Sequence, residues 1–484
     1  MAEVAGEPHV LIFPFPAQGH VPTMLKLAEL FLLAGLRITF INTERIHRRL
    51  LLNSPTLPPL ARLPRFRFRT IPDGLPEDDR RASVPLQELE ESIRTRSREP
   101  YRDLLAPAGR DPDEWPSVTC VVADGSLPLS WEVAEEVGIP VIFFRTSSAC
   151  AFWAYYRIPD LIKGGEIPFP EEADWDEKVR GVPGMESFLR RRDLPSFCRN
   201  AKTTSDRGLQ SVDNATASTR RARALILNTF ESLEGPVLSH IRSAIPITYA
   251  LGPLHLLVKT FENGGSFVTI NSVRLSQEDR SCMTWLDSQP PRSVVYVSFG
   301  SVAVMSREEL MEFWHGLVDS GERFLWVLRS DLVEGKTGEA VPAEAEGTRE
   351  RGCIVGWAPQ EEVLSHPAVG CFLTHSGWNS TLESVSAGVP MICWPCFADQ
   401  QINSRFVSDV WRIGADMKDK CERSIVEKMV RDVMVRERAE RLRTSAMEMA
   451  ELARRSVAKG GSSYRDYWSL VEHIRAISSN GQQK

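Results

Sequence analysis

The sequence lacks the features that would place the protein in a membrane or on nucleic acid. Its longest apolar stretches have the length of a strand and fall far short of the roughly 20 residues that a membrane-spanning helix needs. Basic residues are not in excess, since 58 lysines and arginines stand against 64 aspartates and glutamates. With a formal net charge of −6 and no long basic run, we expect neither nucleic acid nor stable membrane insertion.

The sequence also predicts neither a secretory signal nor a disulfide framework. Its first residues include Glu3 and Glu7 in place of a basic segment, and the apolar stretch 9–15 is interrupted by Pro14, which is typical of a buried strand. The nine cysteines are odd in number and scattered, several of them in apolar runs where cysteine behaves as a small hydrophobic residue. We therefore expect a cytoplasmic protein with free thiols. A monomer is our expectation for its assembly.

Motifs of three other enzyme classes are missing. The string Gly-x-Gly does not occur, which argues against an NAD-dependent dehydrogenase. Gly-x-Ser-x-Gly, the nucleophile elbow of many serine hydrolases, is absent as well. The string Gly335-Lys-Thr337 is similar to the end of a P-loop, but Ser330 stands where the first glycine of that motif belongs. None of these three motifs therefore marks a candidate active site in the sequence.

What the sequence does contain is an alternation of apolar runs and amphipathic stretches, in two halves. In the first half the pattern predicts strands at 9–15, 37–41, 118–123 and 141–144, with helices at 24–33 and 129–137. In the second half it predicts strands at 293–299, 324–328, 371–374 and 391–393, with helices at 307–319 and 381–387. Such alternation with short connections indicates parallel sheets covered by helices on both faces.

We predict an α/β fold with two tandem Rossmann-like, doubly wound domains and a ligand cleft between them. The alternation weakens between the two halves, where glycine and proline are frequent. The predicted parts are an N-terminal domain at 1–252, a linker at 253–291, a C-terminal domain at 292–462, and a terminal helix and tail at 463–484 that pack back on the first domain.

Residues 357–400 hold the densest set of aromatic and polar side chains. Part of this set follows the predicted strand 371–374 and opens a helix at Asn379 and Ser380, where backbone N–H groups and the helix dipole favour an anion. His375 and Asn379 can add side-chain donors to a diphosphate there. These residues predict a phosphate-binding helix N-terminus.

The remaining side chains of the set fit the other parts of a nucleotide sugar. Glu383 lies one helical turn along, where its carboxylate can accept both hydroxyls of a ribose. Trp357 offers a flat apolar face for a base. Asp399 and Gln400 follow the strand 391–393 and offer partners for sugar hydroxyls. A single tryptophan or glutamate in such a place is usually structural, but the whole set at the strand ends of one domain predicts a nucleotide-sugar site.

Residues 357–400 resemble the signature box of the plant secondary-product UDP-glycosyltransferases, family 1, which have the GT-B fold. The resemblance covers the box from end to end and extends over nearly the whole chain. It is closest to subgroups that glucosylate terpenoid, iridoid or cyanohydrin hydroxyls. The resemblance implies that the N-terminal domain binds the acceptor and the C-terminal domain binds the UDP-sugar. It also implies that transfer needs no cofactor or metal, with UDP-glucose as co-substrate.

The resemblance implies a role for each residue of the donor site. Uracil stacks on Trp357, Gln360 and Glu383 hold the ribose, and a closing glutamine such as Gln400 is typical of glucose users. The implied UDP-binding residues are Ser301, Trp357, Ala358, Gln360, His375, Gly377, Trp378, Asn379, Ser380 and Glu383. The implied sugar-binding residues are Thr146, Trp378, Asp399 and Gln400. Two positions depart from the pattern: Ser376 replaces the usual cysteine, and Arg145 stands where relatives often carry tryptophan.

The candidate catalytic residues follow two strands of the first domain. His20 comes shortly after the first strand, and an imidazole can accept a proton from an acceptor hydroxyl near neutral pH. Asp124 ends the strand 118–123 at the same edge of the sheet and can orient that imidazole. From the residues alone, helix capping or packing is an equal alternative for His20, and a strand-end turn for Asp124. The resemblance implies that both are catalytic.

The resemblance therefore implies an inverting O-glycosyltransferase with His20 as general base. We expect it to move glucose from UDP-glucose to a hydroxyl or carboxyl of a small hydrophobic plant metabolite such as a terpenoid, iridoid or phenolic. The alternatives are a UDP-galactose user and a non-catalytic nucleotide-sugar-binding protein of the same fold.

The string Asp111-Pro-Asp113 is interpreted as a turn and not as a metal-binding loop. The aromatic segment 149–156 and the segment 185–197 either line an acceptor pocket or form ordinary core.

Overall fold

The computed structural model describes residues 7–54, 63–75, 86–106, 115–262, 275–333, 351–417, 419–435 and 437–481. The chain divides into two compact units. Unit 1 contains the described residues of 1–164, 201–276 and 455–484. Unit 2 contains those of 165–200 and 277–454. Two strings considered above, Asp111-Pro-Asp113 and Gly335-Lys-Thr337, lie outside the described residues.

Strands and helices are numbered here in chain order. The strands are β1 His9–Phe13, β2 Arg37–Thr43, β3 Phe66–Ile71, β4 Cys120–Asp124, β5 Val141–Arg145, β6 Ala224–Leu227, β7 Thr248–Ala250, β8 Val294–Ser298, β9 Arg323–Val327, β10 Gly352–Val355, β11 Val369–Thr374, β12 Met391–Cys393 and β13 Gly414–Asp416. The helices are α1 Val21–Leu33, α2 Glu44–Asn53, α3 Leu86–Arg96, α4 Arg98–Leu105, α5 Pro128–Glu136, α6 Ala149–Tyr156, α7 Ile158–Lys163, α8 Ser196–Arg199, α9 Arg207–Thr219, α10 Glu231–Ala244, α11 Leu254–Glu262, α12 Ser281–Asp287, α13 Arg307–Ser320, α14 Gln360–Ser365, α15 Trp378–Ala387, α16 Gln400–Arg405, α17 Arg423–Met434, α18 Glu437–Val457 and α19 Ser462–Gly481. A 3-10 turn, Arg191–Asp193, precedes α8, and a π-helical turn, Phe406–Val410, continues α16.

Unit 1 is built on a parallel sheet in the order β3-β2-β1-β4-β5-β6-β7. Helices cover both faces, and the inner strands β1, β4 and β5 are accordingly buried along their whole length. The terminal helix α19 completes this core, because Leu470, Val471 and Ile474 are fully buried and the Tyr467 hydroxyl donates to the carbonyl of Leu30 at 2.7 Å. The terminal helix that the sequence predicts thus packs in unit 1.

Unit 2 repeats the same architecture with a parallel sheet in the order β10-β9-β8-β11-β12-β13. Large side chains such as Phe313, Trp314 and Trp326 fill its core together with aliphatic residues of β8, β11 and α17. Both units are Rossmann-like, which confirms the predicted α/β class with two doubly wound domains. None of the described helices is both long and apolar enough to cross a membrane.

The division departs from the predicted boundaries: the predicted linker is divided between the units after residue 276, residues 455–462 belong to unit 1, and residues 165–200 belong to unit 2. Residues 254–262 of the predicted linker form α11, whose Leu254, Leu257 and Val258 are buried in the unit 1 core. The sequence did not predict this helix, because its apolar pattern covers few residues and directly follows Gly252-Pro253, a pair that indicates a turn. Residues 165–200, predicted in the first domain, belong to unit 2, and there Arg190 pairs with Asp193 at 2.8 Å.

Candidate active site

A histidine and an aspartate meet at the carboxyl edge of the unit 1 sheet. Strands β1 and β4 are parallel neighbours with Phe13 opposite Ala123, so the residues that follow both strands lie at the same edge. Asp124 is the last residue of β4, and His20 directly precedes α1. The Nδ1 atom of His20 lies 2.6 Å from Oδ2 of Asp124. The pair predicted from the sequence is thus brought together by neighbouring strands.

Asp124 is held as a carboxylate although it is fully buried. Burial raises its pKa, but the charge and hydrogen bond of the His20 ring, the Ser126 N–H and the charge of Arg145 outweigh that effect, so the pKa lies below 3.8. The Ser126 N–H donates to Oδ1 at 2.9 Å, and the Phe15 N–H donates to Oδ2 at 3.4 Å. A carboxylate in this position favours the proton on Nδ1 of His20 and leaves the lone pair on Nε2.

Thr146 joins this pair in a way that the sequence did not predict. It follows β5, the neighbour of β4, and its Oγ1 lies 2.9 Å from Nδ1 of His20. The resemblance assigned Thr146 to the donor sugar. The structure adds a contact with the ring of the candidate base, so Thr146 can help to orient that ring.

Arg145 lies close enough to Asp124 for its charge to lower the pKa of that carboxyl group. Its guanidinium is buried, and Nη2 donates to the Ala215 carbonyl at 2.7 Å and to Oγ1 of Thr219 at 2.8 Å. Burial lowers the pKa of Arg145 to about 10, so it remains a cation at neutral pH. A side chain at Gly125 would place Cβ only 2.3 Å from Nε of Arg145, so the arginine needs a glycine there. Its polar role was not visible in the sequence, where Arg145 stood only as a departure from the family pattern.

In unit 2, the predicted phosphate-binding residues follow strands β8 and β11. The ring of His375 is confined by two glycines: a Cβ at Gly300 would lie 2.5 Å from Nε2, and one at Gly377 would lie 2.4 Å from it. Burial, assisted by the charge of Arg329, lowers the pKa of His375 to about 4. The imidazole is therefore uncharged at neutral pH and can offer a phosphate an N–H group but not a positive charge.

The helix α15 begins directly after His375, Ser376 and Gly377. Its N-cap is Gly377, which has no side chain to bond the first N–H groups of the helix. The predicted residues Trp378, Asn379 and Ser380 form its first turn. The N-terminus of a ten-residue helix with such a cap is suited to an anion. Ser301 follows β8, the strand that pairs with β11.

The predicted ribose-binding residues contact one another. Nε2 of Gln360 donates to Oε2 of Glu383 at 2.7 Å and to Oγ of Ser380 at 2.8 Å. The hydroxyl of the buried Tyr296 donates to Oε1 of Gln360 at 3.2 Å. Sequence reasoning missed Tyr296, because a tyrosine inside an apolar strand reads as core. Trp357 and Ala358 follow β10, and Trp357 is half-buried.

Two of the predicted sugar-binding residues, Asp399 and Gln400, lie where the loop after β12 meets α16: Asp399 is the N-cap of that helix and Gln400 is its first residue. Oε1 of Gln400 accepts the N–H groups of Cys396 at 2.8 Å and Phe397 at 3.0 Å, so its NH2 group is the part suited to a ligand. Nδ2 of the fully buried Asn403 donates to Oδ2 of Asp399 at 2.9 Å and to the Ser376 carbonyl at 3.0 Å. Asn403 thus ties the sugar loop to the phosphate loop, and the sequence gave no signal for it.

Two other predicted features, the aromatic segment 149–156 and the segment 185–197, contribute buried side chains to the cores of the units. Helix α6, which carries the aromatic segment, is buried at seven of its eight residues and packs as core of unit 1. Met185, Leu189 and Leu194 are fully buried in unit 2. The core alternative therefore fits most of both segments. Within the described parts of the chain, no three His, Cys, Asp or Glu side chains are grouped to hold a metal ion.

The fold and the two groups of residues define a GT-B glycosyltransferase, and comparisons with known proteins agree. Residues 226–450 match the family model described as UDP-glucoronosyl and UDP-glucosyl transferase. The chain is 52% identical to myricetin 3-O-rhamnoside 1,2-glucosyltransferase UGT709G2 of Crocosmia x crocosmiiflora, over 99% of this chain and 98% of that protein. It is 51% identical to 7-deoxyloganetic acid glucosyltransferase of Catharanthus roseus, over 97% and 98% of the two chains.

A solved structure shows the same fold. Os79 of O. sativa, in complex with UDP, superposes with a TM-score of 0.81 at 28% identity, over 96% of this chain and 100% of that one. The chain thus belongs to the UDP-glycosyltransferase family and is an enzyme of that class. The alternative of a non-catalytic nucleotide-sugar-binding protein is not favoured.

Proposed function

We propose that the protein is an inverting O-glucosyltransferase that uses UDP-glucose and takes His20 as its general base. The observation that carries the proposal is the 2.6 Å contact of His20 Nδ1 with the buried, ionised Asp124. Because this contact involves Nδ1, the other nitrogen of the half-buried His20 ring, Nε2, is left to accept a proton. The donor-site roles that the resemblance implies for Trp357, Gln360 and Glu383 are part of the same proposal.

The proposed reaction is one displacement at the anomeric carbon. Nε2 of His20 takes the proton of the acceptor hydroxyl while the oxygen forms a bond to C1 of glucose, and the bond from C1 to the phosphate oxygen of UDP breaks on the opposite face. An α-linked donor then gives a β-glucoside. Asp124 stabilises the imidazolium, and general base catalysis of this kind contributes about 100- to 10,000-fold. The proposal requires the base of unit 1 to reach the acceptor beside the sugar that unit 2 binds.

The acceptor is proposed from the relatives. One relative is named for 7-deoxyloganetic acid, and another, 41% identical over 98% of this chain, is the (R)-mandelonitrile beta-glucosyltransferase of Prunus dulcis. These names, with that of the myricetin rhamnoside enzyme, span iridoid, cyanohydrin and flavonoid acceptors. We propose a hydroxyl or carboxyl of a small hydrophobic plant metabolite, with an iridoid acid as the first choice.

The test is consumption of UDP-glucose with a panel of iridoid, cyanohydrin and phenolic acceptors, with UDP-galactose as the parallel donor. A β-glucoside, identified by NMR of its anomeric proton, is the expected product. An α-glucoside would overturn the inverting mechanism, and turnover confined to UDP-galactose would overturn the proposed donor.

We further propose that the enzyme works without a metal or cofactor, as a cytoplasmic monomer. All nine cysteines are free thiols, as is usual in a reducing compartment. Full turnover is expected in excess EDTA. A loss of turnover that added Mg²⁺ restores would contradict the metal-independent mechanism.

A further inference from the structure

The diphosphate of a UDP-sugar carries negative charge that the predicted phosphate-binding residues do not fully balance. Asn379, Ser380 and Ser301 are neutral, and burial lowers the pKa of His375 to about 4, so its ring is uncharged. The N-terminus of α15 supplies the equivalent of roughly half a positive charge. A neighbouring side chain with a full positive charge would supply the balance.

Arg329 is a cation that acts on this group. It lies just beyond β9, beside β8 in the sheet, and only 8% of its side chain is exposed. Its positive charge is one cause of the lowered pKa of His375. Arg329 is thus near enough to the ring of His375 to change its proton affinity.

The guanidinium of Arg329 also holds the loop that carries Ser301. Nη1 donates to the carbonyl of Gly300, and Nη2 donates to the carbonyl of Ala303 at 2.6 Å. These two carbonyls flank Ser301 in the chain. Gly300 has a left-handed φ of +69° and lies against Nε2 of His375, so the arginine fixes a loop that is in contact with the imidazole.

The charge of Arg329 is only partly compensated. Nε donates to Oδ1 of Asp331 at 2.9 Å, and 41% of the Asp331 side chain is exposed. Water screens the field of such a carboxylate more than that of a nearly buried guanidinium. A positive potential therefore remains beneath the loop of residues 300–303.

We propose that Arg329 is a positioning residue for the donor diphosphate: through its bonds to the carbonyls of Gly300 and Ala303 it fixes residues 300–303 against His375, and its guanidinium supplies positive charge beside them. This inference rests on the proposed UDP-binding role of residues 301 and 375–380. It makes the contribution of Arg329 depend on the charge of the ligand. A purely structural arginine would affect all ligands of the site alike.

The test compares uridine, UMP and UDP by isothermal titration calorimetry. Arg329→Gln is expected to weaken UDP binding on the order of tenfold or more, UMP binding less, and uridine binding by less than about twofold. Arg329→Lys, which keeps the charge but loses the forked geometry, is expected to lie between Arg329→Gln and the wild type for UDP. Circular dichroism checks that each variant is folded.

The matched control is Asp331→Asn, which leaves the two carbonyl contacts of Arg329 in place and removes the opposing charge. It is expected to strengthen UDP binding by about twofold without a change for uridine. This arm tests the proposal even if Arg329→Gln does not fold. A ratio of UDP to uridine affinity that equals the wild-type ratio in Arg329→Lys and Asp331→Asn would overturn the proposal, as would an equal loss for uridine and UDP in Arg329→Gln. A wild-type protein that binds neither ligand would instead refute the proposed function.

Discussion

At the scale of single residues, the state of each candidate group is set by what surrounds it. Asp124 is buried and yet ionised, because His20, the Ser126 N–H and the charge of Arg145 outweigh the cost of burial. For His375, burial and the charge of Arg329 outweigh a hydrogen bond with the Ser298 backbone, so the pKa falls to about 4 and the ring is uncharged. The same environment, the carboxyl edge of a parallel sheet, thus holds a charged carboxylate in unit 1 and a neutral imidazole in unit 2.

Gln400 gives a prediction about the choice of sugar. Its Oε1 already accepts two backbone N–H groups of its own loop, so a glucose hydroxyl would be bound by the NH2 group. Gln400→Glu keeps an acceptor for the two N–H groups and loses the NH2 donor. We expect it to lower kcat/KM for UDP-glucose by about tenfold, because one hydrogen bond is lost and an acceptor is left facing the sugar. Gln400→His is expected to shift the donor preference toward UDP-galactose.

The readout is kcat/KM for both donors in both variants, with melting temperature as a check on the loop. If the ratio of the two donors stays at its wild-type value in both variants, Gln400 supports the loop only, and other residues select the sugar.

Residue-level prediction from the sequence succeeded where position along a strand fixes position in space. His20 and Asp124 lie 104 positions apart, but both follow strands that the apolar pattern marked, and parallel strands end at one edge. Tyr296, Arg329 and Asn403 were missed because their roles depend on partners from other elements. Nothing in the local pattern of β8 shows that the Tyr296 hydroxyl reaches Gln360.

At the scale of elements, the loop after β8 is built around Gly300. Its φ of +69° costs another residue roughly 1–2 kcal/mol, and a Cβ there would displace the His375 ring. Gly300→Ala is therefore expected to weaken UDP binding on the order of tenfold, through loss of the imidazole contact. Gly321→Ala is the control, because Gly321 also has a left-handed φ, of +78°, but its nearest neighbour would be Arg351 at 3.7 Å.

Both glycine variants should lose similar stability in thermal unfolding, and only Gly300→Ala should lose affinity for UDP in calorimetry. Equal UDP affinities in the two variants would show that Gly300 serves the turn alone.

The start of helix α6, close to Thr146, is held by a buried carboxylate. Glu234 accepts the N–H of Ala149 at 3.0 Å and that of Cys150 at 2.7 Å. Glu234→Ala leaves both N–H groups without these partners, and we expect the free energy of unfolding to fall by about 2–4 kcal/mol in urea denaturation. The control is Glu231→Ala, since Glu231 lies with Glu234 in the first turn of α10; it removes a surface ion pair with Arg242 and should cost less than about 1 kcal/mol.

Glu234 also makes this stability depend on pH. Burial raises its pKa above 4.5, although hydrogen bonds from Thr229, Cys150 and Ala149 oppose the shift. The folded state then holds the proton more tightly than the unfolded state, so stability falls as the pH rises from 4.5 through the raised pKa. The free energy of unfolding of the wild type should therefore fall relative to that of the non-titrating variant Glu234→Gln as the pH rises from 4.5 to 8. A constant difference across that range would show that Glu234 titrates normally.

Prediction of the elements from the sequence worked best for strands inside the sheets. Strands β1, β2, β4, β5, β8, β9, β11 and β12 were predicted, and all of them lie inside a sheet. Buried on both faces, such strands read as continuous apolar runs. The edge strands β3, β7, β10 and β13 were missed, as was the inner β6. Edge strands are short or polar, as in Phe66–Ile71 with its two arginines, and give little apolar signal.

At the scale of the whole molecule, the chain passes back and forth between the two units. It leaves unit 1 for residues 165–200, returns for residues 201–276, enters unit 2 again for residues 277–454, and ends in unit 1 with the terminal helix. Local patterns do not reveal such crossings, because they depend on distant contacts such as that of Nε of Arg405 with the Phe188 carbonyl at 3.1 Å. What the sequence did reveal was the duplicated architecture. The candidate base lies in unit 1 and the donor residues lie in unit 2.

Replacement of His20 tests the proposal that the imidazole of unit 1 activates an acceptor for a sugar bound by unit 2. The measurement is kcat with UDP-glucose and an accepted substrate in His20→Ala, together with the Kd of UDP. His473→Ala is the control, since His473 lies on the terminal helix α19 of the same unit and contacts Tyr249 of β7. We expect His20→Ala to lose at least about 100-fold in kcat with the Kd of UDP unchanged, while the control keeps both values. Turnover of His20→Ala within about threefold of the wild type would contradict the proposal.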